Sequence, residues 1–566
     1  MKRKILSVLI ALVLMAGASA ALFGCGGGET YDPDNFLPAG TAENPWQIVK
    51  EPVTLDIFVP RGGMNPPYRE MKMFQKLSEL TNLNFNFIEA EVSTYDNLRS
   101  TTWEDKNNLP DLFLFNNTVA EQVAYSQFGA FVAFNDDELT AGGIHVGNLI
   151  ENYMPNYRAL LDANFNIDTE TDAKKVATLD DGYMYSTLSV NDVPRDLTFK
   201  MFINQQWIDN INEDYPDRNL PDADEIATVE QYIEVLRAFK ECDPNRNGQH
   251  DEVPVTAKSM EYLSNFILAA YGYVSSDVEV KNDGSGLVYT PVTEAYQKYL
   301  ETVRMMYQEG LLDNQVFSIT TDSQMAVKGY AGRLGSFCAA AAYITVGMDL
   351  EDQYVTFGPL TSEYYTGEPL QWGFSNFTAS GATIPTGTPY VREVARLLDI
   401  MYSELGTQLI AYGMEGEDWT WDDEAHTSWT FHVPADWAGT QEEYRATITP
   451  NVGTASALYW SYDFVGKMND PIITDLNRMS ERYVPYLKLP VPEELKFANA
   501  DEYTEVSRLR TNLDLYVRSS VSDFVRNADQ TVAEGWQSYV DGMKGYNYER
   551  LLGIYEAAYQ RYLQGR

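Results

Sequence analysis

The sequence predicts an α/β protein of two lobes. Three observations carry this expectation. A chain of 566 residues with 44% hydrophobic and 13% aromatic content buries a large core and is too long for one compact domain. Its first periodic segments read strand, helix, strand, the order of a parallel β-α-β unit with a right-handed crossover. Further short buried strands and amphipathic helices follow, with helices at the carboxyl terminus and no second apolar run of transmembrane length.

The amino terminus stands apart from this body. Lys2, Arg3 and Lys4 precede the apolar run Ile5 to Met15, the two parts of a secretory signal. Small residues 16–20 follow, then Leu22-Phe23-Gly24-Cys25, which resembles a bacterial lipobox. That resemblance implies a signal peptide over residues 1–24 and a lipoprotein anchored through diacylglycerol and palmitate chains on Cys25. A plain signal peptide and a retained anchor helix over Ile5 to Gly24 are the alternatives. Residues 25–50, glycine-rich and then polar without period, are expected to be a flexible linker.

The first ordered strand is expected at Val53 to Val59, where apolar and polar residues alternate. Met71, Phe74, Leu77 and Leu80 share one helical face, and Leu83 to Ile88 returns to strand period. Leu109 to Phe115 reads as another buried strand, followed by turn residues Asn116 and Asn117. Ligands of open α/β sheets bind at the carboxyl ends of such strands. Helices are expected over Val229 to Lys240, ending near Gly310, and over Pro389 to Gly406.

The net charge of −41 argues against nucleic acid or an anionic membrane surface as partner. Cys242 and Cys338 are too few for a disulfide framework, leaving one bridge or two buried thiols. The histidines, His145, His250, His426 and His432, have no zinc-helix spacing, and no nucleophile elbow or phosphate-binding glycine loop occurs. Glycoside hydrolysis requires two flanking carboxylates, but 82 acidic residues make an arrangeable pair uninformative. The chain is therefore expected not to be an enzyme.

The order of Leu109-Pro110-Asp111-Leu112, Gln127 to Phe131, Asp181 to Tyr185, Phe202 to Ile208, Tyr307 to Asp313, Arg392 to Asp399 and Tyr412 to Trp419 carries a resemblance. So do Leu513 to Tyr516, Trp536 and Leu551 to Tyr559. Together they resemble family 1 extracellular solute-binding lipoproteins, the LplA-like receptors of ABC sugar importers, related to maltose- and alginate-oligosaccharide-binding proteins. The resemblance covers nearly the whole mature chain. It implies a type II periplasmic-binding-protein-like fold, each lobe a mixed sheet flanked by helices, joined by crossing hinge strands. Lobe 1 is expected from residues 51–198 plus 380–450, and lobe 2 from 199–379 plus 451–566. The crossings are expected near Leu197 to Asn204, Trp372 to Ile384 and Thr447 to Trp460.

Asp243-Pro244-Asn245-Arg246-Asn247-Gly248-Gln249-His250-Asp251-Glu252 is the sharpest chemical motif. Oxygen-bearing side chains at positions one, three and five, glycine at six and a carboxylate at nine reproduce most of a calcium loop. A plain Asn/Gly turn is the alternative. Pro254 stands where a bidentate glutamate would complete the loop, and the resembled family uses a shortened form in which Glu252 supplies that ligand. The expected metal ligands are Asp243, Asn245, Asn247, Gln249, Asp251 and Glu252, holding a structural Ca2+.

A pyranose offers an apolar face to an aromatic ring and hydroxyls to polar groups around it. Trp372, Trp419, Trp421, Trp460 and Tyr343 are the expected stacking residues, with Asp111, Asn116, Asn117, Glu415 and Asn376 as polar contacts. The resemblance implies a monomeric receptor that captures an oligosaccharide and delivers it to ABC permease subunits, touching the membrane through its lipid alone. An extracellular glycoside hydrolase and a non-transporting glycan sensor are the alternatives.

Overall fold

The structure is a computed structural model that describes residues 31–105, 108–115, 117–163, 171–319, 321–451 and 458–565. The expected signal peptide, Cys25 and Asn116 lie outside the described residues. No helix among the described residues is long and apolar enough to cross a membrane.

The β-α-β opening forms as its periodicity requires. Strand Val53–Arg61 runs parallel to Leu83–Glu91, with Val53 opposite Leu83 and Arg61 opposite Glu91. The helix between them, Lys72–Thr81, buries Met73, Phe74 and Leu77 and stops at Asn82, which adopts φ of 61°. Strand Leu112–Leu114 adds in parallel on the other side, and Ala382–Thr383 closes that edge antiparallel. Only three residues of the expected 109–115 strand pair, because Asp111 turns its carboxylate onto the Asp56 amide.

A second four-stranded sheet has the order Tyr354–Thr356, Lys200–Asn204, Leu334–Ala339, Val253–Ala257. Its central strands 200–204 and 334–339 are antiparallel, while 334–339 and 253–257 are parallel. Helix Val229–Glu241 starts on a Thr228/Gln231 capping box and lays seven buried residues against this sheet. The long helix Ala500–Arg526 follows a stripe of Val506, Leu509, Leu513, Val517, Val521 and Val525, the three-and-four spacing of a buried face.

Each sheet has its own core. The first gathers residues between Phe36 and Val193 and between Phe377 and Met468; the second gathers Met201 to Leu360 and Val506 to Tyr559. A small third sheet, Ser189–Asn191 between Phe377–Thr378 and Tyr459–Trp460, lies where the chain passes between them. Leu458, Trp460, Phe464, Val465 and Met468 pack in the first core, although residues 451–566 were expected in the second lobe. Their apolar side chains continue the pocket around Tyr412 and Trp429, so the last crossing comes after Met468.

The expected linker over 25–50 is corrected within its described part. Phe36, Ile48 and Val49 are buried, Phe36 bridges to Val49, and the Ile48 amide donates to Thr81 O at 2.9 Å. Arg392 donates to the Tyr31 hydroxyl at 2.7 Å and lies 4.5 Å over the Phe36 ring. Residues 31–50 are thus a strap on the first lobe. Their irregular backbone gives no period, which is why the sequence reads as linker. The helix expected over 389–406 is two helices, Val391–Tyr402 and Glu404–Tyr412, separated by the cap Ser403.

Candidate ligand-binding cleft

The carboxyl end of the second sheet assembles an aromatic shelf. Strand Val253–Ala257 ends at Lys258, and Ala339 pairs with Lys200 at the same edge, so Phe199 emerges there too. Tyr262 comes from the following helix, Met260–Ala269, and Trp372 and Phe374 from the chain returning to the first core. Their rings meet edge to face, Phe199 to Tyr262 at 4.6 Å and Trp372 to Phe374 at 4.6 Å, while the Phe199 and Trp372 rings are nearly parallel, their centres 6.5 Å apart. Lys258 sits 4.7 Å over Phe199 and 4.6 Å over Tyr262, with Asp322 at 3.7 Å as its counter-ion.

Hydrogen bonds lock this shelf to the crossing backbone. Thr198 Oγ1 donates to Trp372 O at 2.6 Å, and the Phe374 amide donates to Leu197 O at 2.7 Å. Lys200, fully buried, donates to Arg195 O, Thr198 O and Ala340 O. Burial pushes its ammonium down to about 8. Beside Trp372 opens a cavity of about 470 Å³ between helices Met260–Ala269 and Ala500–Arg526.

The first core meets this edge through a second cluster. Arg445 lies 5.0 Å over Tyr412 and 5.8 Å over Trp460, and Trp460 Nε1 donates to Asp196 at 2.9 Å. Arg195 is buried with one guanidinium nitrogen unpaired. Tyr343, at the end of the second sheet, reaches the same group: burial raises its hydroxyl pKa, Glu442 adds to the rise, and Arg195 and Arg445 oppose it. At the carboxyl ends of the first sheet, Arg61 bridges Glu89 at 3.0 Å and Glu91 at 3.1 Å.

The expected binding residues divide accordingly. Trp372 lines the cavity mouth, and Tyr343 stands between the two cores. Trp460 and Asn376 are buried at the crossing sheet, Asn376 donating to Asn191 O at 2.8 Å. Trp419 is a core residue, fully buried with Nε1 donating to Gly413 O. Trp421 stacks on His426 at 4.3 Å in the hairpin Trp419–Trp421/Trp429–Phe431, and Glu415 is an exposed turn residue before it. Asp111 sits at the amino end of its strand, accepting from the Asp56 amide and Thr388, the wrong end for a ligand. Asn117 spends its amide on Phe113 O and Gly381 O. Phe199, Tyr262, Phe374 and Arg195 join this candidate region in the structure, and no local pattern marks them, because only the topology brings them together.

The Asp243 to Glu252 loop hangs from the end of helix Val229–Glu241, away from the shelf. Gly248 takes φ of 78° and donates its amide to Asp243 Oδ2, while Asn247 donates to Asp251 at 3.0 Å. Gln249 donates its amide to Asn247 Oδ1 and Asn247 donates its own to Asn245 Oδ1, so the side-chain oxygens curl inward. Asp243 Oδ1 and both oxygens of Glu252 are buried with no hydrogen-bond partner. Burial raises the Glu252 pKa, and Asp243 and Asp251 raise it further. Orphaned, mutually repelling oxygens fit an oxygen-liganded cation. Among the described residues no three His, Cys, Asp or Glu side chains form a metal site by themselves, so such a cation would also need the Asn side chains. Cys242, at the head of this loop, and Cys338 are both buried free thiols.

No family model matches the chain. The chain is 23% identical over 441 residues to the fructooligosaccharide ABC transporter substrate-binding protein FusA of Streptococcus pneumoniae serotype 4, covering 74% of this chain and 76% of that protein. The structure of FusA in complex with kestose superimposes with a TM-score of 0.70 at 19% identity, covering 91% of this chain and all of that one. An HMO-binding ABC-transporter-associated solute-binding protein from Bifidobacterium longum infantis gives a TM-score of 0.73 at 16% identity, over 91% of this chain and 99% of its own. The alginate-binding protein AlgQ2, solved without calcium ion, gives 0.65 at 17% identity, over 91% of this chain and all of its own. FusA has also been solved as an EF-hand mutant. The two-sheet architecture is thus that of two-domain solute-binding proteins.

Proposed function

We propose that this chain, whose homologues and structural neighbours are ABC-transporter sugar-binding proteins, is a membrane-anchored extracellular receptor that captures an oligosaccharide between its lobes and delivers it to an ABC importer. One observation carries the reading. The Phe199, Tyr262, Trp372 and Phe374 shelf opens beside a 470 Å³ cavity at the carboxyl end of the second sheet, against the crossing strands. Aromatic faces flanked by polar groups suit sugar rings.

The receptor performs no chemistry on its ligand; closure of the two lobes makes the shape that permease subunits recognise. Lipid on Cys25 holds the monomer at the outer face of the membrane, and the strap at 31–50 joins that anchor to the first lobe. Asp243, Asn245, Asn247, Asp251, Glu252 and the Gln249 carbonyl hold a structural Ca2+, supported by the orphaned oxygens of that loop. A bound ion supplies the positive charge that these oxygens lack.

Thermal unfolding of the purified chain against oligosaccharides, amino acids and peptides tests the reading, because a ligand of the native state raises the midpoint. One oligosaccharide class should stabilise the protein and be recovered intact. Stabilisation by a peptide alone, or recovery of a cleaved glycan, would overturn it.

A further inference from the structure

The cavity beside Trp372 has a polar floor that the fold leaves unsatisfied. Asn265, on helix Met260–Ala269, is only 7% exposed and lines the cavity, yet its carboxamide makes no hydrogen bond among the described residues. Ser259 occupies the cap position of the same helix without a capping bond, and its Oγ is buried and unpaired. Buried polar groups are rarely left in this state unless something else pairs with them.

The charges around the cavity have the opposite character, because every cation is already matched. Arg510 pairs with Asp277 at 2.6 Å, Arg518 with Glu261 at 3.0 Å, and Lys258 with Asp322 at 3.7 Å beneath the aromatic rings. Asp514 also lines the cavity and has no ion pair of its own among the described residues. Three carboxylates therefore face two guanidinium groups along the lining. A carboxylate-bearing ligand would enter with no free cation to meet it, and unpaired like charges raise the energy of such a complex.

We propose that this cavity is the subsite for a neutral sugar unit, its ring against Trp372 and its hydroxyls on Asn265, Ser259 and Asp514, and that it rejects uronate and other anionic sugars. This rests on the oligosaccharide reading above and narrows it to uncharged chains. A neutral hydroxyl donates to Asp514 and both donates to and accepts from the Asn265 amide, which a carboxylate cannot do.

Calorimetric titration of the purified chain with fructan, glucan, mannan and xylan oligomers, alongside length-matched oligouronates, tests it. A neutral series should bind and the uronates should not. Asn265→Leu should weaken the neutral ligand about 10-fold or more, and Ser522→Trp, at a partly exposed lining position, should block it, both with unfolding midpoints near wild type. Tight uronate binding would overturn the inference while leaving an oligosaccharide receptor. Wild-type affinity in both variants would equally place the ligand elsewhere. Failure of every saccharide would remove the receptor reading, and this inference with it.

Discussion

Replacing Glu252 with glutamine should destabilise the protein in calcium and stabilise it in chelator. Among the described residues, both Glu252 carboxylate oxygens and Asp243 Oδ1 are buried without hydrogen-bond partners, and Asp251, their neighbour, has Asn247 at 3.0 Å and Arg333 at 3.9 Å. Without a cation these charges repel, so removing one is a gain. With calcium at about 100 times its dissociation constant, wild type gains about 2.7 kcal/mol. For a lobe of this size that is roughly 5 to 10 °C in the unfolding midpoint. Glutamine offers one neutral oxygen, so most of that increment should vanish. The pH dependence carries the same signature. The Glu252 pKa is raised in the fold above its ordinary 4.5, so between 4.5 and the raised value the folded state holds the extra proton. In chelator, this group's contribution should therefore fall as pH rises through that window, and Glu252→Gln should abolish that fall. Calorimetry in calcium and in chelator reads both effects. Full calcium stabilisation of the variant, or a wild-type midpoint indifferent to chelator, would refute the reasoning.

Trp372→Ala should lose about 2 kcal/mol of ligand binding, roughly 30-fold in affinity, whereas Trp421→Ala, whose ring is already stacked on His426, should change affinity little; titration calorimetry separates them. Lys200 has a folded pKa lowered to about 8 from 10.5, so the unfolded state binds its proton in preference between those values and its contribution to stability rises with pH there. Lys200→Met should lack that rise, and denaturant midpoints from pH 7 to 10 against wild type will show it. Arg392→Ala removes the donor to Tyr31 and Pro33 and the cation over Phe36, and should cost about 1 to 3 kcal/mol while exposing residues 31–50 to protease.

How far the sequence reaches depends on whether a feature is local. The Val53 to Glu91 unit is legible because periods of two and of three-to-four residues are properties of neighbours along the chain. Trp372 is legible as the head of an extended return segment. Trp419 and Trp421, two residues apart, lie on one face of their strand, and that face packs on the first core, burying Trp419 fully and leaving Trp421 half-buried against His426. Asp111 precedes its strand and therefore marks the amino end of the sheet. The charge pairing of Asp277 with Arg510, and the meeting of Phe199 with Tyr262, follow only from the packing of distant segments and have no sequence signal.

The shelf and the crossing are mechanically one object, and this bears on how binding becomes a signal. A ligand shifts an equilibrium between open and closed forms only by contacting the two forms differently. Contacts confined to the Trp372 cavity would all lie within the second lobe and survive opening unchanged. Arg195, buried in the crossing with one nitrogen unpaired, and Tyr343, which senses Arg445 and Glu442 from across the gap, are placed where separation of the lobes would alter their surroundings. The Trp372 carbonyl and the Phe374 amide are bonded to Thr198 and Leu197, three and two residues along the backbone from Arg195. On the proposed reading, a sugar chain long enough to lie on the shelf and reach Arg195 would touch both lobes and the crossing at once, which a single ring held in the cavity would not. The physical requirement for coupling capture to closure falls on the length of the ligand as much as on its identity.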